Sequence, residues 1–131
     1  MRKGAGQVAT GSPVSTTSSD TAETGLLAND PVLAEIVRRL VAAFQPERIY
    51  LFGSMARGDA GPDSDYDLMV VVPVSDLAPH RRDVLAFRAL CGVGAAKDVV
   101  VYTREEFESR SRAASSLAAV VLHEGRLLYA A

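Results

Sequence analysis

Two short runs carry the side chains best suited to chemistry. The first is Gly53-Ser54, and after ten intervening residues comes Asp65-Tyr66-Asp67. The strand-like stretch Arg48-Ile-Tyr-Leu-Phe52 ends just before Gly53, where a glycine lets the backbone approach a ligand closely. Ser54 offers a hydroxyl and an amide at the start of a predicted short helix over 54–57, and helix starts suit phosphate through unpaired N–H groups and dipole. Arg57 adds a cation able to make paired hydrogen bonds to phosphate oxygens. Strand alternation points Asp65 and Asp67 one way and Tyr66 the other. Two carboxylates on one face beside such a turn form a hard oxygen site for Mg²⁺, which takes its remaining ligands from water and substrate phosphates. A third carboxylate, Asp98, opens the run Asp98-Val-Val-Val-Tyr102 and meets the pair if the two strands are neighbours. Three gathered carboxylates repel one another without a cation, so the cluster predicts a metal.

These residues need a scaffold. Asp30 is a good N-cap and Pro31 suits the first position of a helix. Val32, Leu33, Ile36, Val37, Leu40, Val41 and Phe44 then recur at helical spacing until Pro46. Strands are expected at 48–52, 67–72 and 98–102, the second so continuously apolar that it should be central and buried on both faces. Helices are expected over 79–91, from the capping-box spacing Thr103 to Glu106, and over about 113–123. In the 79–91 helix, Val84, Leu85, Phe87 and Leu90 are expected to make the apolar contacts, and Cys91 to be a buried, inert thiol. A short strand from Arg126 to Tyr129 would lie at a sheet edge. The class is α+β (mixed α/β): a small mixed sheet of about four strands with helices packed against it. Residues 1–28, rich in Ser, Thr and Gly, read as a disordered tail, and residues 29–131 as one domain.

Composition excludes several other classes. The 131 residues are 48% hydrophobic and 23% charged, with formal net charge −2, a globular balance without the basic excess of a DNA-coating surface. One cysteine and two histidines leave no disulfide framework and no Cys- or His-rich metal site. No apolar run approaches the ~20 residues of a membrane span, and the residues after Arg2 and Lys3 lack the apolar core of a signal peptide. A cytoplasmic protein that binds neither DNA directly nor membrane is the expectation.

The pattern Gly53-Ser54, ten residues, Asp65-x-Asp67 resembles the signature of the DNA polymerase β-like nucleotidyltransferase superfamily. Its extended form, Tyr50-Leu-Phe-Gly-Ser-Met-Ala-Arg-Gly58 with Ser64-Asp-Tyr-Asp-Leu68, is most similar to the minimal nucleotidyltransferases. The ending His123-Glu-Gly-Arg-Leu-Leu-Tyr129 also resembles theirs, so the likeness runs from about Asn29 to Tyr129. The resemblance implies the nucleotidyltransferase fold. It implies that Gly53 and Ser54 hold a nucleoside triphosphate, and that Asp65 and Asp67 ligate Mg²⁺. Asp98 would be the third metal ligand and help to deprotonate the acceptor. The implied reaction transfers a nucleoside monophosphate, AMP from ATP, to a hydroxyl and releases pyrophosphate. The implied acceptor is a tyrosine of a HEPN-type toxin, which would make this chain the antitoxin.

Two rivals stand beside that reading. One is a non-catalytic antitoxin that masks its partner by contact and keeps its carboxylates for nucleotide sensing. The other is nucleotidylation of a small molecule such as an antibiotic, disfavoured by the lack of a second domain to complete an acceptor pocket. Retention of Ser54 and both aspartates of the pair favours the enzyme over the masking module.

Overall fold

The computed structural model describes residues 26–58, 65–95 and 97–131. Along the chain run α1 (Pro31–Phe44), β1 (Arg48–Phe52), α2 (Gly53–Arg57), β2 (Tyr66–Val72), α3 (Pro79–Ala89), β3 (Lys97–Thr103), α4 (Arg104–Ser111), α5 (Leu117–Glu124) and β4 (Arg126–Ala130). The start of α1 follows from its cap: the Asp30 carboxylate accepts from the Leu33 N–H at 3.0 Å, with Pro31 in the first turn. Thr103 and Glu106 close the expected capping box at the start of α4.

The four strands form one mixed sheet in the order β3-β2-β1-β4. β1 is antiparallel to β2 and to β4, and β2 is parallel to β3. β2 is central, with Leu68 to Val72 all buried, as its unbroken apolar run requires. On one face Ile49, Leu51, Leu68, Val70 and Val101 pack against Leu33, Ile36 and Leu40 of α1 and Ala86 of α3. On the other, Tyr50, Met69 and Val71 pack against Phe107 of α4 and Ala118 and Val121 of α5. The Tyr50 and Phe107 rings stack at 5.7 Å.

Three local expectations are corrected. α3 ends at Ala89, so Cys91 falls in the following turn and is exposed rather than buried. The helix turns Arg82 and Ala86 inward, with Leu90 buried at its C-cap, while Phe87 is 76% exposed and adds nothing to the core. The last helix begins at Leu117 rather than near Ala113, because the Ser116 hydroxyl caps it by accepting from the Ala119 N–H. Of the expected tail, 1–25 lie outside the described residues. Residues 26–28 lie within them, in a helical turn from which Leu26 and Leu27 pack against the core. Among the described residues no helix is long and apolar enough to cross a membrane.

Candidate active site

The residues singled out above meet at one end of the sheet, where β1 finishes and β2 and β3 begin. Phe52, the last residue of β1, is paired with Asp67, and Asp67 is paired with Asp98 across the parallel β2–β3 ladder. Directly paired residues project to the same face, so Asp67 and Asp98 share the face of Met69 and Val100, which α4 and α5 cover further along. Asp65 stands two residues before Asp67 and is exposed, as is Asp98.

The electrostatics confirm the crowding. Partial burial pushes the Asp67 carboxyl above its ordinary range, and the Asp98 and Asp65 charges push the same way. Arg57 opposes them. One carboxylate thus senses every charged group that the sequence pattern pointed to.

Gly53 is required by this geometry. Its φ is +74°, in the left-handed region, and a Cβ there would lie 2.3 Å from Asp67 Oδ2. The close approach expected of Gly53 is therefore made, in the first instance, to the Asp67 carboxylate. Helix α2 starts at this point with Phe52 at the N-cap and no side chain capping it. Ser54 is consequently the second residue of the helix rather than its cap, and its hydroxyl is not committed to the helix start. Arg57, in the last turn, lies 3.8 Å from Glu124 with both side chains about half exposed, a contact of small energy.

Two further side chains hold the strand starts in place, and neither was singled out for this from the sequence. The Tyr66 hydroxyl donates to Asp30 Oδ2 at 2.7 Å, tying the first residue of β2 to the cap of α1. Burial and that carboxylate push the Tyr66 phenol up to about 12, so it stays a donor. The available signal was the alternation that turns Tyr66 away from the aspartates. Lys97 Nζ donates to the Val93 and Ala95 carbonyls at 3.1 and 2.8 Å, fixing the turn into β3 immediately before Asp98.

Among the described residues no three His, Cys, Asp or Glu side chains form a ready-made metal cage. The carboxylates of Asp65, Asp67 and Asp98 are all oxygen donors, which fits an ion that completes its shell with water and phosphate. Of the ten residues between Ser54 and Asp65, 59–64 lie outside the described residues.

The chain belongs to the nucleotidyltransferase domain family, whose model matches residues 32–126. Among curated proteins no match is found. A candidate nucleotidyltransferase from Sulfolobus solfataricus superposes with a TM-score of 0.55 at 21% identity, over 88% of this chain and 90% of that one. A chain of the toxin–antitoxin MntA–HpeT, in a mutant with two Asp-to-Glu substitutions, gives 0.52 at 22% identity, over 75% of this chain and 72% of that one. A toxin–antitoxin with AMP-PNP gives 0.47 at 24%, over 75% and 73%. At these identities the likeness is one of fold.

Proposed function

We propose that this chain is a Mg²⁺-dependent nucleotidyltransferase that moves AMP from ATP to a tyrosine hydroxyl of a HEPN-type toxin, and so acts as its antitoxin. The observation that carries the reading is the pairing of Asp67 with Asp98 across the β2–β3 ladder, two residues from Asp65 and beside the start of α2. Like charges are held together there at a cost, which functional sites tolerate and structural surfaces seldom do. The antitoxin role is suggested by the MntA–HpeT toxin–antitoxin, which shares the fold.

The all-oxygen carboxylate set fits Mg²⁺, with Asp65, Asp67 and Asp98 as the protein ligands. When bound, the ion would neutralise phosphate charge and lower the pKa of the acceptor hydroxyl. The chain's own groups do the rest. Ser54 and the first-turn amides of α2 take phosphate oxygens, and Arg57 leaves Glu124 to add a cation. Asp98 accepts the proton of the acceptor hydroxyl. The acceptor oxygen bonds to the α-phosphorus as the bond to the bridging oxygen breaks, and pyrophosphate leaves in line.

Incubating the full chain with α-labelled ATP, Mg²⁺ and a co-expressed HEPN protein, followed by mass spectrometry, tests this. AMP on a tyrosine of the partner is expected, with loss of labelling in Asp98→Asn while ATP still binds. A partner that is neutralised without acquiring AMP would establish masking by contact instead.

A further inference from the structure

β3 is an edge strand, and an uncovered edge is a template for another strand. Its two halves are treated differently. Toward the C-terminal end, Arg82 of α3 is only 5% exposed and donates from Nη1 to the Val101 carbonyl at 3.3 Å. The same guanidinium pairs with Glu106 of α4 at 2.7 and 3.3 Å. Because α3 lies on one face of the sheet and α4 on the other, this ion pair passes round the edge and closes it.

Among the described residues the N-terminal half has no such closure. The N–H and C=O of one strand residue point to the same side and neighbours alternate, so Val99 shares the outward side of Val101. Among the described residues no side-chain hydrogen bond reaches the Val99 peptide groups. Beside them runs a groove of about 580 Å³ lined by Ala86, Phe87, Leu90, Gly92 and Val99, with Asp98 also on its wall. Phe87 is 76% exposed on a helix whose outward neighbours are charged, and the core makes no use of it.

We infer that this open half-edge is where the acceptor docks. An extended polypeptide segment adds as a strand beside Lys97–Val100, rests an apolar side chain on Phe87, and brings its hydroxyl to Asp98. The occupant is a polypeptide because the free edge presents backbone donors and acceptors at strand spacing, which another backbone matches and a small molecule does not. The inference rests on the transferase reading above for its account of why a hydroxyl is delivered there.

The test uses the full chain and an array of short tyrosine-centred peptides with varied flanks. The tightest binder is titrated into isotope-labelled protein and followed by amide shifts and hydrogen exchange. Shifts at Phe87 and slowed exchange at Val99 are expected. Phe87→Ser, at an exposed position that leaves the core intact, weakens peptide binding about tenfold and leaves Mg²⁺–ATP affinity unchanged. Val99→Pro removes an outward N–H and acts in the same direction. AMP transfer to the peptide with no response at Val99 or Phe87 overturns the inference and leaves the transferase reading standing. Docking at Val99 without transfer supports the surface and overturns the transferase reading. No docking of any peptide overturns the inference, as does a Val99 response that follows chain concentration alone, which marks a second copy. A response already present without peptide and lost on deleting residues 1–25 overturns it in favour of the chain's own segment.

Discussion

The two ends of the sheet handle charge in opposite ways. At the end where β2 and β3 begin, Asp67 lies across from Asp98 and two residues from Asp65, and partial burial, with those two charges adding to it, pushes its carboxyl above its usual range. At the other end, Glu47 meets Arg104, and Glu106 meets Arg82 and the Thr103 N–H. There the arginine partners hold both glutamates below the usual carboxylate range. One end thus uses its charges to hold elements together, while the other keeps charges that the fold alone does not satisfy. Perturbed carboxylates of this kind cluster at functional sites.

The contrast can be broken most directly at Asp67. On the proposed reading, Asp67→Asn is expected to lower AMP transfer by about 10³-fold, since a proposed metal ligand is lost. The same substitution removes one of the repelling charges without adding bulk against Gly53. The melting temperature of the ligand-free protein should therefore hold or rise by a few degrees, as a thermal melt at neutral pH would record. A clear fall would mean that the aspartate serves the fold.

Arg82→Met should act in the opposite sense. It leaves Glu106 and the Val101 carbonyl without their buried partner, a loss of about 3 kcal/mol that denaturant titration would read. Gly53→Ala comes next. Left-handed strain of about 1–2 kcal/mol accompanies displacement of the Asp67 carboxylate, so stability falls modestly and transfer falls by about 10²-fold.

The smallest effect expected is a pH dependence. Glu106 has a depressed folded pKa, so its contribution is fully present above the unfolded value near 4.5 and is lost as pH falls through the folded value. Glu106→Gln should cost about 1 kcal/mol at neutral pH and flatten the decline in stability below pH 4.5. If the variant's acid profile overlaid that of the wild type, the paired end would not be held by these charges.

Much of this architecture was legible beforehand because its signals are local. The Asp30 cap with Pro31, the Thr103 capping box and the unbroken apolar run of β2 each lie within a few residues of what they specify. The errors have a cause that is not local. In α3 the apolar pattern is weak, and the helix is oriented by burying the Arg82 stem and guanidinium against Glu106, a partner 24 residues away. A periodicity argument that counts only apolar residues turns such a helix the wrong way, which is why Phe87 and Cys91 were expected inside.

The sequence by itself determined the chemical character of the site: a glycine and serine at a strand end, carboxylates at alternating positions and an arginine one helical turn on. Those features need only backbone periodicity and side-chain chemistry to be read. The tertiary structure alone decided that Asp98 lies directly across from Asp67, that the space Gly53 leaves is occupied by a carboxylate oxygen, and that, among the described residues, half of the β3 edge is closed while half stays open. Each of these depends on register and packing between residues far apart in the chain, and such pairings are set by the collective burial of the core.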